Sequence, residues 1–161
     1  MAQVAETSFE KQRGVSSVEV RSGYSQLHLE ELATPILSSR LEVLRRMNAA
    51  GISLDFMKMA PDGISFLVAD GQAAQAQQAL EGVQGKLTIH HQCSIVVVYA
   101  VNIRDEEGMI ARIAQEAIRS DVDVDQIGDM HDRVLLVVPT ESAQRLADGF
   151  RKAFLEGAYA N

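Results

Sequence analysis

Residues 38–57, SSRLEVLRRMNAAGISLDFM, reappear in outline seventy positions later as residues 108–127, GMIARIAQEAIRSDVDVDQI, and the correspondence continues without a gap from Ser38–Val83 to Gly108–Ala153. Across that offset Leu41 meets Ala111, Val43 meets Ile113, Ile52 meets Val122, Leu54 meets Val124, and Asp55 meets Asp125. Further along, Met57 meets Ile127, Ile64 meets Val134, Phe66 meets Leu136, Val68 meets Val138 and Ala73 meets Ala143. Nearly every pair keeps its apolar or polar character. A repeat of this length exceeds a solenoid unit and is long enough to be a small domain, so the expectation is one fold duplicated within the chain.

Within the first copy, Leu37, Leu41, Leu44, Met47 and Ala50 fall at three- and four-residue steps, the stripe of an amphipathic helix, and Gly51 marks its end. Ile52–Met59 and Ile64–Ala69 flank Pro61-Asp62-Gly63, a turn sequence between β-type runs. Ala73, Ala76, Leu80 and Val83 space a second helix, closed by Gly82 to Gly85. The second copy has the same order. Met109, Ile110, Ile113, Ala114, Ala117 and Ile118 make its first helix, and Val122, Val124 and Ile127 its first hairpin strand. Val134–Val138 is the returning strand, and Pro139-Thr140 opens a helix through Ala143, Leu146, Ala147, Phe150 and Phe154.

Outside the copies, Val15, Val18, Val20, then Ser22-Gly23-Tyr24, then Leu27, Leu29 and Leu32 read as two strands joined by a tight turn. Lys86–His91 is a short strand, and Cys93–Val101 a β-branched apolar run that needs a covered face. Each copy is therefore strand, helix, strand, strand, helix, plus a fourth strand. The order fits an α+β fold of two ferredoxin-like (βαββαβ) units, antiparallel sheets with helices on one face. Lys86–His91 completes the first unit. Residues 155–161 are too short and irregular to complete the second, so Val15–Arg21 is expected to interleave into it. The expected division is a tail over 1–14, a first unit over 15–91 and a second over 92–161.

The chain has 161 residues, 47% hydrophobic, and a formal net charge of −7, which suits one or two small domains with real cores. Nucleic acid is not an expected partner, because displacing phosphate counterions needs clustered Lys and Arg, and Arg45-Arg46 is too small a cluster. No apolar run approaches a membrane span, and the start MAQVAETSFE is polar and acidic, unlike a signal peptide. The single Cys93 allows no internal disulfide. A cytoplasmic location is the expectation.

Few constellations carry chemistry. Asp121-Val-Asp123-Val-Asp125 resembles the opening of a calcium loop, but Gln126 stands where that loop needs Gly, and the valines fit a half-buried strand edge. His90, His91 and Cys93 have metal-ligand chemistry, yet alternation on a strand lets only His91 and Cys93 converge, which is no site. His28 and His131 have no third partner nearby in sequence. Gly82-Val-Gln-Gly85-Lys86 lacks the spacing and the following Ser or Thr of a phosphate loop. No nucleophile and base emerge, so no catalytic residue, metal or cofactor is expected. Asp105-Glu106-Glu107 before Gly108 is either a solvated loop with carboxylates at a helix start or one wall of a ligand pocket.

Residues 8–155 resemble the tandem ACT domains that form the regulatory half of monofunctional aspartokinases. Residues 108–127 match without gaps that family's loop glycine, helix and following strand, and Arg133–Val138 its next strand. Ala49–Met57 and Asp62–Val68 resemble the family's Ala-Gly-Ile-Asn-Val-Asp-Met-Ile and Asp-Ile-Ser-Phe-Thr-Val runs, and Phe9–Val20 its linker and first strand. The loop signatures differ: Asp-x-Pro-Gly becomes Pro35-Ile-Leu-Ser38, Gln-Asn becomes Met59-Ala60, Ser-His-Pro-Gly becomes Asp105-Glu-Glu-Gly108, and Ser-Thr-Ser-Glu becomes Gly128-Asp-Met-His131.

The resemblance implies a non-catalytic regulatory module. A small amino-acid effector, of lysine or threonine type in the family, binds where the strand-to-helix loop of one unit meets a partner unit, and allosterically controls amino-acid biosynthesis. Carried over, the contacts are Thr34, Ile36, Leu37, Ser38, Asp55 and Met57 from the first unit, with Asp105, Glu107, Gly108, Met109, Ile110, Asp125 and Ile127 from the second. The physics is that N–H groups at a helix start receive an α-carboxylate, and carboxylates or carbonyls receive the ammonium. A homodimer and a kinase catalytic subunit or domain are the implied partners. The alternative is a degenerate module that serves only dimerisation or assembly with a catalytic partner, without ligand.

Overall fold

A computed structural model of the chain describes residues 14–101, 103 and 107–156. Its elements in chain order are strand β1 (Gly14–Glu30), helix α1 (Ile36–Ala49), β2 (Asp55–Ala60), β3 (Gly63–Ala69), α2 (Ala73–Ala79), β4 (Lys86–Val101), α3 (Met109–Arg119), β5 (Gln126–Asp129), β6 (Arg133–Pro139) and α4 (Thr140–Phe154). The chain is thus α+β. It divides into two compact units at Arg21/Ser22 and at Ser94/Ile95, so β1 and β4 each give one half to either unit.

The first unit, Ser22–Ser94, orders its strands β2-β3-β1-β4. β1 and β3 are antiparallel, with Leu27 opposite Phe66 and Leu29 opposite Ile64. Alternation puts these four residues on one face, and α1 and α2 cover it: Val43 and Met47, one turn apart, join Ala73, Ala76 and Leu80 in the core with Leu27, Leu29, Ile64, Phe66 and Val68. Gly63 has no alternative, because a Cβ there would lie 1.9 Å from the Leu29 carbonyl oxygen.

The second unit takes Gly14–Arg21 of β1 and the 95–101 half of β4, with strand order β1-β4-β6-β5. Its core joins Val18, Val96, Val98, Ala100, Val134, Leu136 and Val138 to Met109, Ile113 and Ala117 of α3 and Ala143, Leu146, Ala147 and Phe150 of α4. Val15 and Val20 pack at its edge. Arg151 of α4 donates Nη2–H to the Val18 carbonyl at 2.9 Å, which fastens the N-terminal strand under the last helix.

The two copies repeat in detail. Ala50 N–H donates to Arg46 O and Gly51 N–H to Asn48 O, both at 3.0 Å. Seventy positions on, Ser120 N–H donates to Glu116 O at 3.0 Å and Asp121 N–H to Ile118 O at 3.1 Å. In the hairpins Lys58 opposes Ser65 and Met59 opposes Ile64, as Gly128 opposes Leu135 and Asp129 opposes Val134. They part at Phe56: β2 bulges between Asp55 and Lys58 with Phe56 at φ 43°, whereas β5 keeps a regular register from Gln126.

Four expectations need correction. Ser22-Gly23-Tyr24 is not a hairpin turn: β1 runs unbroken through it, because Gly23 alone takes positive φ (93°) and β4 offers a partner along both halves. Lys86–His91 and Cys93–Val101 are likewise one strand, with Gln92 at φ 53° shifting the alternation between them. The strands expected from Ile52 and Val122 begin only at Asp55 and Gln126, so Asp121–Asp125 is a helix-to-strand connection, not a strand edge; its valines turn inward all the same. The second helix of the first copy also stops at Ala79, with Leu80 as its cap.

Candidate functional site

In the first unit, α1 begins at Ile36 with neither a side-chain cap nor an acidic residue in its first turn. Thr34, Leu37 and Ser38 are exposed and Ile36 is half-buried. Ser39 ties this turn to the preceding loop, its Oγ donating to Ala33 O at 2.6 Å. Arg40 ties it to the β2–β3 turn: Nε donates to Gly63 O at 3.1 Å, and Nη2 donates to Ala60 O and, at 3.4 Å, to Pro61 O. The start of α1 therefore stands beside the end of β2.

On β2, Asp55 is exposed and its Oδ1 accepts the Phe56 N–H at 3.0 Å, so its carboxylate supports the bulge. Met59 opposes the core residue Ile64 and so points to the helix-covered face, yet it and Met57 are each 48% exposed. Leu37 (77%) and Leu41 (45%) of α1 are exposed as well. The edge strand and the first turns of α1 thus leave four large apolar side chains in the open, more than isolated surface scatter.

In the second unit, Gly108 precedes α3 in the left-handed region (φ 78°), and its carbonyl accepts the Arg112 N–H at 2.9 Å. Glu107 and Gly108 are exposed, Ile110 is partly so, and Met109 is buried in the core. Ile127 of β5 opposes the core residue Leu136 and is 42% exposed, the same position as Met57 in the first copy. Asp125 is exposed and its N–H donates to Val137 O at 2.9 Å. Asp105 lies outside the described residues.

The expected contacts thus lie on equivalent elements of the two copies: Thr34, Ile36, Leu37 and Ser38 at the start of α1 with Asp55 and Met57 on β2, and Glu107, Gly108, Met109 and Ile110 at the start of α3 with Asp125 and Ile127 at β5. Leu41, Met59 and Arg40 lie outside the expected contacts, although the resemblance aligned Met59 with the family's Gln-Asn pair. Arg40 could have been, since it is a cation aligned with Ile110 in the copy.

Other described groups with chemistry-bearing side chains have local partners. Asp121 closes α3 at φ 51°, in the place of Gly51. Cys93 is buried and its Sγ donates to His90 O at 3.3 Å. The His28 and His90 rings meet edge-on at 5.4 Å. Ser25 Oγ donates to Asp70 Oδ1 at 2.6 Å, so the Nδ1 of His91, 3.2 Å from Ser25 Oγ, is the donor to that hydroxyl. On the second unit, Arg21 and Tyr99 both hydrogen-bond the Glu19 carboxylate and hold it below the usual carboxylate range. Arg133 does the same to Asp132 while stacking on Tyr99 at 4.9 Å.

No known family model matches the sequence, and no curated protein is a significant match. Solved structures do share the fold. The regulatory subunit of aspartate kinase from Thermus flavus superposes with a TM-score of 0.80 at 17% identity, over 88% of this chain and 99% of that one. The ligand-free regulatory subunit from Thermus thermophilus gives 0.79 at 18%, over 87% and 99%. E. coli aspartokinase III in complex with lysine and aspartate gives 0.72 at 12%, over 91% of this chain and 34% of that one, so this chain spans about a third of that kinase. The fold is that of aspartate kinase regulatory subunits.

Proposed function

We propose that the chain is a non-catalytic regulatory module of two ferredoxin-like ACT units, which binds a small amino acid and acts on a kinase catalytic subunit or domain. The observation that carries this reading is the twice-built corner. At each, a helix start, an exposed carboxylate (Asp55 or Asp125) and exposed apolar side chains occupy equivalent positions of the repeat. The near-complete overlap with a regulatory subunit supports it.

The chemistry follows from the parts. Helix-start N–H groups take an α-carboxylate, and the acidic side chains and free carbonyls of the edge strand take the ammonium. Side chains such as Leu37, Met57, Ile110 and Ile127 leave each corner half-open, and a second copy of the chain laid against the edge strands closes it. Ligand and dimer then stabilise one another, which is the coupling that regulation needs.

A thermal-unfolding screen of the twenty amino acids tests this. Mass action on the folded state raises the melting temperature with at least one of them. A flat screen at millimolar ligand removes ligand binding. Capture of a kinase subunit by a chain that ignores all twenty amino acids then points to the alternative, an assembly module without effector.

A further inference from the structure

The β2–β3 turn of the first unit collects three carbonyl oxygens, Ala60 O, Pro61 O and Gly63 O, around one guanidinium, that of Arg40. The turn is positioned from its other side without Arg40. Leu32 N–H donates to Asp62 O at 3.0 Å, Glu31 N–H donates to Asp62 Oδ2 at 3.1 Å, and Gly63 lies directly against the Leu29 carbonyl. The three acceptors are therefore preorganised and stay converged whether or not a cation is present.

The fold itself does not require that cation. In the second unit Ile110 stands in the place of Arg40, and the equivalent turn closes with its own backbone bond, Met130 N–H to Arg133 O at 2.8 Å. Among the described residues, the same supersecondary unit thus exists in this chain with the plug and without it. Arg40 is half-buried, and its bonds here go to carbonyls, a neutral cage that suits a planar multi-donor cation.

We propose that these three carbonyl oxygens form an organic-cation site that the chain fills with its own Arg40, and that the site accepts an alkylguanidinium in trans once Arg40 is removed. Tethering gives the native side chain a high effective concentration, so the wild-type site is self-occupied and an external cation competes poorly. Because Arg40 sits on the first turns of α1, its engagement also sets how that helix start stands against β2. The inference is independent of which amino acid, if any, the chain senses.

The test is thermal unfolding of wild type and Arg40→Ala with methylguanidinium chloride, against sodium chloride and tetramethylammonium chloride at matched ionic strength. Loss of charge-assisted bonds lowers the melting temperature of Arg40→Ala by about 4 °C. Methylguanidinium restores most of that loss, tetramethylammonium, which has no N–H donor, restores none, and wild type responds to neither. An Arg40→Ala variant that melts with wild type overturns the proposal, as does one that methylguanidinium does not rescue or that responds in parallel with wild type. If the alanine variant does not fold, Arg40→Gln is read in its place with the same criteria.

Discussion

Gly51 and Asp121, seventy positions apart, end their helices in the same left-handed conformation, at φ 69° and 51°, each with its N–H on the carbonyl three residues back. One is a glycine, and the other is an L-residue that tolerates the conformation through its short polar side chain. Gly51→Ala meets open space, so only the backbone objects, and it costs about 1 kcal/mol in urea unfolding. Asp121→Gly relieves the left-handed penalty but adds chain entropy to the unfolded state, so its net effect stays within about 0.5 kcal/mol.

Gly63→Ala is a different case, because the new methyl carbon would lie 1.9 Å from Leu29 O. The β2–β3 turn must move away from β1. The expected loss is about 3 kcal/mol, and amide exchange should speed up in β2 and β3 before it does in β5 and β6.

Acid sensitivity follows from Glu19. Hydrogen bonds from Arg21 and then Tyr99 hold its folded pKa down, so the stabilisation is present at neutral pH and fades as pH falls through and below the carboxylate range. Asp132, held down by Arg133, acts in the same direction. A Glu19→Gln, Asp132→Asn double variant should show a flatter decline in melting temperature on the acid side than wild type, with no difference in shape at alkaline pH.

Charging the exposed apolar side chains tests the proposed dimer, which should separate without unfolding. Met57→Lys and Ile127→Lys replace side chains that are 48% and 42% exposed. Sedimentation equilibrium is expected to show self-association weakened about tenfold by either substitution, with the melting transition of the separated chain retained.

The offset of seventy was readable from apolar positions alone, because Val43/Ile113 and Phe66/Leu136 are buried for the same reason in each copy. Gly23 and Gln92 were not readable. One positive φ within a long strand leaves the same sequence mark as a turn, and what decides is a partner strand sixty residues or more away. The candidate contacts were assigned to two helix starts and two β-type runs, and the chain does form α1, α3, β2 and β5 there. Arg40 escaped because a cation on an amphipathic helix ordinarily faces water, and only the neighbouring turn shows it bound to three carbonyls.

Whether ligand and dimer form together is read by native mass spectrometry of the purified chain, titrated with the amino acid that raises its melting temperature most. The expected result is a two-chain species that takes up discrete whole-number increments of that amino acid, with uptake lost in Met57→Lys and Ile127→Lys. A single-chain species that remains free of adducts at millimolar amino acid would contradict it.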